Sequence, residues 1–124
     1  MAKKVLVIEN DQYILELLID LLPRFGYEVE GTKKGCEGLE KLDRMEYDAI
    51  LLDVHLEELD GKTVYRKLKD CSSGLAERVI FMTGDIGNTN TASFINECGN
   101  LWLQKPFTLG EASQILEAFF KEKS

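Results

Sequence analysis

The sequence is poor in the residues that cross-link small proteins or bind transition metals. It contains three cysteines, Cys36, Cys71 and Cys98, and a single histidine in 124 residues. No two cysteines form a C-x-x-C pair, and one histidine cannot complete a zinc site with cysteines so far apart. The composition therefore argues against a disulfide framework and a structural zinc, and it favours a reduced, cytoplasmic location.

Long apolar runs and an excess of positive charge are also missing. No uninterrupted apolar run exceeds four residues, whereas a membrane-spanning helix needs about 20 residues. No secretory signal follows the initial Met-Ala-Lys-Lys. Asp and Glu total 22 against 15 Lys and Arg, which gives a net charge of −7, whereas nucleic-acid-binding surfaces are basic. We expect neither a membrane nor a nucleic acid as a direct partner.

Short apolar runs alternate along the chain with segments of helical hydrophobic spacing. The runs predict strands, at residues 3–9, 27–32, 47–53, 78–83 and 100–104, and the segments between them predict helices. Gly26 ends the first predicted helix and Pro23 should loosen its last turn, while Thr108 and Glu111 form a capping box before the last helix. We predict one domain over residues 1–124, of α/β class, with a doubly wound five-stranded parallel sheet and helices on both faces.

Polar residues follow four of the five predicted strands at the point where each strand ends. They are Glu9, Asn10, Asp11, Asp53, Thr83 and Lys105. The carboxyl ends of parallel strands share one edge of a sheet, so these side chains should meet there. Clustered carboxylate and amide oxygens suit a hard cation such as Mg²⁺. A carboxylate beside such a cation can attack a phosphoryl group while a lysine and a hydroxyl neutralise its oxygens, so the pattern predicts phosphoryl transfer to an aspartate.

Four motifs, in this order, resemble those of the receiver domain of two-component response regulators. They are VLVIEND for the acidic cluster, DAILLDVHLEELDG for the acceptor loop, VIFMTGD for the threonine and LWLQKPF for the lysine. The resemblance covers the whole chain and implies a flavodoxin-like sheet of strand order 2-1-3-4-5. It also implies a phosphorelay protein that takes its phosphoryl group from the phosphohistidine of a sensor histidine kinase or phosphotransfer domain and then changes its surface.

The resemblance implies that Asp53 is the phosphoacceptor, assisted by Thr83 and Lys105. It also implies a magnesium site at the same strand ends. The implied ligands are Glu9, Asn10, Asp53 and the backbone carbonyl of His55, with Asp11 as a further candidate. Such a domain is a regulatory phosphoacceptor and not an ordinary enzyme, although it assists its own phosphotransfer and dephosphorylation.

Three further residues match positions that tune or follow the switch in this family. His55 and Asp85 each stand two residues after a site residue, where family members vary the lifetime of the phosphoryl group. Trp102 matches an aromatic residue whose rotamer follows the threonine. The bond between Lys105 and Pro106 matches one that is often cis in the family.

Two departures from the family pattern leave alternatives open. The second acidic position is usually an aspartate and is Asn10 here, whose amide oxygen can bind a cation but adds no charge. The loop after Asp53 has Leu56, Glu57 and Glu58 where the family usually has Met-Pro-Gly. The first alternative is a degenerate, non-phosphorylated receiver that acts as a constitutive protein-binding module. The second is a small hydrolase or phosphotransferase with an aspartyl intermediate, although such enzymes generally have an acid where this chain has His55.

The carboxyl-terminal third of the chain is also similar to the receivers of hybrid histidine kinases. We therefore weigh a stand-alone regulator against a receiver that belongs to a longer hybrid kinase. Family members often pair through the last two helices, so a homodimer through that face is a further expectation. Cys36, Cys71 and Cys98 fall in predicted helices, where we expect them to pack as small apolar residues.

Overall fold

Five parallel strands form one sheet in the computed structural model, which describes residues 2–71 and 74–123. The strands are β1 (Lys4–Ile8), β2 (Glu28–Thr32), β3 (Ala49–Asp53), β4 (Val79–Thr83) and β5 (Trp102–Gln104). Their order across the sheet is β2-β1-β3-β4-β5, and every neighbouring pair is parallel. The prediction of a doubly wound α/β fold with this strand order is confirmed.

Five α-helices in the described ranges cover the two faces of the sheet. They are α1 (Gln12–Leu21), α2 (Gly35–Arg44), α3 (Gly61–Asp70), α4 (Thr89–Cys98) and α5 (Leu109–Lys123), with short 3-10 helices at Leu22–Phe25 and Leu75–Arg78. Helices α2, α3 and α4 pack on one face, and α1 and α5 pack on the other. The central strands therefore have two buried faces, which is why they are apolar without alternation.

Strand β1 illustrates how one short run of sequence supplies both cores. Leu6 and Ile8 point into the core beneath α2, α3 and α4, whereas Val5 and Val7 point into the core beneath α1 and α5. All four side chains are fully buried. Burial of each stabilises the fold by about 1.5–3 kcal/mol relative to exposure, so apolar burial holds the strand in its central position.

The helix boundaries follow the local sequence signals. Helix α1 gives way to a 3-10 turn that contains Pro23, and Gly26 ends that turn with a φ of 94°, because proline removes a backbone donor and glycine tolerates the left-handed region. The predicted capping box at α5 is present. The Thr108 N–H donates to Glu111 Oε1 at 2.9 Å, and the Glu111 N–H donates to Thr108 Oγ1 at 3.1 Å.

The expected packing role of the cysteines is wrong for two of the three. Cys36 and Cys71 are exposed, and Cys98 is half-buried. The buried positions of α2 are Gly35, Gly38 and Leu42, so Cys36 lies beside that face and not on it. Within residues 2–71 and 74–123, no helix combines the length and the apolar character needed to cross a bilayer.

Candidate functional site

The carboxyl ends of β1, β3 and β5 bring Glu9, Asp53 and Lys105 into contact. Lys105 Nζ lies 2.5 Å from Glu9 Oε1 and 3.0 Å from Asp53 Oδ2. The neighbouring strand β4 contributes Thr83, whose carbonyl oxygen accepts the Lys105 N–H at 2.8 Å. Three of the side chains that were predicted to meet at one edge of the sheet therefore lie together there, since parallel strands end at the same edge.

The two carboxylates of the cluster are buried. Glu9 is 0% exposed and Asp53 is 3% exposed, and a buried carboxylate is costly unless a cation or donors compensate it. Burial raises the pKa of Glu9 to about 7, and the neighbouring Asp53 adds to this effect while Lys105 opposes it. Burial opposes the charge of Lys105 as well, but its contacts with Glu9 and Asp53 outweigh burial and raise the pKa of its ammonium group.

One oxygen of Glu9 remains without a hydrogen bond. Glu9 Oε2 accepts the Asp11 N–H at 3.0 Å. Glu9 Oε1 is buried and forms an ion pair with the Lys105 ammonium group, with no further hydrogen-bond partner among the described residues. Lys105 therefore compensates the buried charge of this oxygen.

The side-chain amide of Asn10 lies between the two carboxylates. One of its terminal atoms is 3.0 Å from Asp53 Oδ2 and 3.3 Å from Glu9 Oε2. When the amide nitrogen occupies that position, it donates to both carboxylates. When the amide oxygen occupies it, three oxygens face each other, which is an arrangement that a hard cation stabilises. The same side chain can therefore serve the site with or without a cation.

The donor set fits Mg²⁺ better than a transition metal. In the part of the chain that the structure describes, no three side chains from His, Cys, Asp and Glu come together as a metal site. The cluster instead offers two carboxylates and one amide. Mg²⁺ commonly takes one or two carboxylates from the protein and keeps several waters, so Glu9, Asp53 and Asn10 are residues that could hold it.

The loop after β3 holds Asp53 in place. Asp53 Oδ1 accepts the N–H of His55 at 3.0 Å. The loop then returns to its own start, since the Gly61 N–H donates to the Val54 carbonyl at 3.1 Å. A Cβ on Gly61 would lie 2.1 Å from the Asp53 carbonyl oxygen, so only glycine allows α3 to begin this close to the site.

The residues two positions after Asp53 and Thr83 contact each other. His55 Nε2 lies 3.3 Å from Asp85 Oδ2, and each side chain is about half exposed. Thr83 is fully buried, and its hydroxyl oxygen accepts the Asp85 N–H at 3.0 Å. The sequence analysis singled out both residues without predicting this contact. Their equal offset from two adjacent strand ends was the signal that could have revealed it.

Three other predicted features have definite positions. Asp11 caps α1, since its Oδ1 accepts the Ile14 N–H at 3.2 Å, and this commits its carboxylate to the helix. Trp102 is 37% exposed at the edge strand β5. The bond between Lys105 and Pro106 is cis.

A cavity that the sequence analysis did not anticipate adjoins Asn10. Its volume is about 240 Å³, and it is lined by Asn10, Lys33, Lys34, Glu57 and Glu58. The lysines come from the loop between β2 and α2, and the glutamates come from the loop after β3. This cavity therefore lies between two loops of opposite charge.

The fold and the site define a class of protein: a flavodoxin-like domain with buried carboxylates, a threonine and a lysine at the strand ends. A model of the response regulator receiver domain matches residues 5–117. The chain therefore belongs to the receiver domain family of two-component response regulators.

Known proteins from several organisms share this architecture. The transcriptional regulatory protein CrdR of Helicobacter pylori is 29% identical over 98% of this chain, and the match covers 57% of that regulator. A CheY-like receiver domain protein of Methanospirillum hungatei is 26% identical, with a TM-score of 0.81 over 99% of this chain and 94% of that one.

A third similar protein is the receiver domain of the sensor histidine kinase PA1611 of Pseudomonas aeruginosa, solved with magnesium coordinated in its active site cleft. It is 24% identical, with a TM-score of 0.85 over 98% of this chain and 99% of that one. This likeness shows the shared fold. The chain spans little more than half of the curated regulator CrdR.

Proposed function

We propose that Asp53 accepts a phosphoryl group from the phosphohistidine of a sensor histidine kinase or phosphotransfer domain. In this proposal residues 1–124 act as a single regulatory receiver domain and not as an enzyme of multiple turnover. The observation that carries the proposal is the buried trio of Glu9, Asp53 and Lys105, with Lys105 Nζ 3.0 Å from Asp53 Oδ2. An ammonium group held beside a buried carboxylate can also neutralise the larger negative charge that the carboxylate carries after phosphorylation.

The chemistry requires a new bond to one Asp53 oxygen and compensation of the new charge. A carboxylate oxygen of Asp53 forms the bond to phosphorus, and the bond from phosphorus to the histidine nitrogen breaks. Lys105 then neutralises a phosphoryl oxygen. The Thr83 hydroxyl already accepts the Asp85 N–H, so its own hydrogen is available to donate to another phosphoryl oxygen.

Mg²⁺ is the cofactor that we assign to this site. Glu9, Asp53, the Asn10 amide and the His55 carbonyl would hold it, and it would supply positive charge to the phosphoryl oxygens. The two buried carboxylates and the Asn10 amide beside them support this assignment. Since Asn10 contributes no charge, the site should bind Mg²⁺ more weakly than one with three carboxylates.

The test is the intact mass of the protein after incubation with acetyl phosphate, with and without Mg²⁺. We expect one phosphoryl adduct that requires Mg²⁺ and that disappears in Asp53→Asn. The matched control is Asp43→Asn, which makes the same chemical change at an exposed residue of α2. If folded wild-type protein forms no adduct at any Mg²⁺ concentration, the proposal is wrong.

The Asn10 amide also supports a second candidate function. With its nitrogen between Asp53 Oδ2 and Glu9 Oε2, the amide satisfies both carboxylates without a metal. A receiver that is stable in this state could act as a constitutive protein-binding module. The experiment above separates the two candidates, because the constitutive module would be folded and would take up no phosphoryl group.

A further inference from the structure

Helix α3 differs in charge from every other α-helix in the described parts of the chain. It carries four basic residues and one acidic residue, for a formal charge of +3, in a protein whose net charge is −7. Helix α1 has a formal charge of −2, and α2, α4 and α5 each have −1. Positive charge is therefore concentrated on one element, and solubility does not require such a concentration.

Three of the basic residues share one face of α3. Lys62, Arg66 and Lys69 are spaced by four and three residues, which places them in line along a helix. Lys62 and Arg66 also converge on one ring of α4, since Lys62 Nζ is 5.7 Å and Arg66 Cζ is 5.5 Å from the centroid of Phe94. We call these three residues the α3 basic face.

The ring that orients the α3 basic face is itself rigidly packed. Phe94 is buried and meets Tyr65 edge-on at 5.8 Å and Phe81 at 5.4 Å between centroids. Cations held over such a ring keep a preferred direction instead of sampling all of their rotamers. The α3 basic face is therefore partly preorganised, which lowers the entropy that a ligand must offset on binding.

No carboxylate in the described residues neutralises this face. Elsewhere the chain pairs its buried or half-buried lysines with acids, as Lys4 does with Glu30 at 3.3 Å and Lys105 does with Asp53. No described carboxylate oxygen lies within 4.0 Å of a basic group of Lys62, Arg66 or Lys69. Like charges on adjacent turns repel, so the arrangement is unfavourable within the domain alone.

We propose that the α3 basic face is a docking surface for an acidic protein segment. A carboxylate-rich partner supplies the negative charge that would compensate this face. A short acidic segment is long enough, because the face covers only two helical turns. A nucleic acid is a poorer match because the remaining surface is acidic and would repel its phosphates. The face adjoins the acceptor loop directly, since α3 begins at Gly61 against the Asp53 carbonyl.

The test uses a short fluorescein-labelled peptide of glutamate and alanine as the probe. Its binding to the full chain is measured by fluorescence anisotropy at low and high salt. The variants are Arg66→Glu on the α3 basic face and Arg24→Glu, a matched charge reversal at an exposed arginine of the 3-10 turn after α1. Circular dichroism checks that both variants are folded. If Arg66→Glu does not fold, Lys69→Gln provides a second variant. Among the described residues, Lys69 does not lie over an aromatic ring, so this change disturbs less packing.

We expect Arg66→Glu to weaken peptide binding about fivefold, because one exposed ion pair is replaced by one repulsion. Arg24→Glu should change it less than roughly twofold, and high salt should weaken binding to all three proteins. Equal weakening by both reversals would overturn the proposal, since net charge alone would then explain the binding. Tighter binding of a short DNA duplex than of the peptide would also overturn it.

Discussion

Replacing Glu9 with glutamine should remove a pH dependence of stability that this one buried group creates. Glu9 is fully buried beside Asp53, and these surroundings raise its pKa from the ordinary value of 4.5 to about 7. The folded protein therefore binds the Glu9 proton more tightly than the unfolded chain does. Glutamine has nearly the same shape as protonated glutamate, but it cannot ionise.

The direction of the effect follows from proton linkage. Between pH 4.5 and about 7 the folded state holds the Glu9 proton more firmly than the unfolded state, so the free energy of unfolding falls as pH rises through this window. The contribution of Glu9 is fully present below pH 4.5 and is lost above its folded pKa. Its size is about 3 kcal/mol as an upper limit, because water and small rearrangements relieve part of the burial.

Urea unfolding in metal-free buffer, followed at several pH values from 5 to 8, measures this contribution as a difference between proteins. Relative to Glu9→Gln, the wild type should lose about 2–3 kcal/mol over this range. Glu40→Gln at an exposed position of α2 is the matched control and should follow the wild type. Parallel pH profiles for wild type and Glu9→Gln would refute the reasoning, whatever their absolute separation.

Other positions give sharp expectations as well. Gly61→Ala should destabilise the fold by about 2 kcal/mol or more in urea unfolding, since its Cβ would meet the Asp53 carbonyl at 2.1 Å. Gly87→Ala is the control, because a Cβ there meets no atom within 4 Å. Equal effects of the two substitutions would contradict the close approach of Gly61 to Asp53. Glu58→Gly should stabilise the protein by up to about 1 kcal/mol in the same assay, because Glu58 has a φ of 64°; a clear loss would show that the glutamate side chain has a stabilising contact. Asn10→Asp should tighten Mg²⁺ binding roughly tenfold or more, since it adds a negative charge between two proposed ligands. Tryptophan fluorescence measures the affinity, and an unchanged affinity would show that residue 10 does not bind the cation.

The fold was predictable from sequence because its signals are local and repeated. Apolar runs such as the one around Ile50 allow no exposed face, and this dictates a sheet that is covered on both sides. Pro23 then marks the end of the first helix, and the capping box of Thr108 and Glu111 marks the start of the last. The grouping of Glu9 with Lys105 followed from topology, since parallel strands end at one edge.

The remaining features depend on side-chain direction, which spacing does not specify. Asp11 follows Asn10 directly and could have pointed into the site, but its carboxylate caps α1 instead. His55 and Asp85 pair only because two loops from different strands lean toward each other. The preorganisation of Arg66 likewise depends on the position of Phe94 on another helix. That contact cannot be predicted from a single sequence.

The hydrogen bond from the Asp11 N–H to Glu9 Oε2 gives the domain an internal reporter. Asp11 is the residue that caps α1, so the first turn of that helix and the buried carboxylate share one bond. A proton or a cation that draws electron density from Oε2 must weaken this bond, and the Asp11 amide resonance should then move upfield. The chemical shift of the Asp11 amide would therefore report in solution whether a proton or a cation is bound at Glu9, without a probe attached near the site.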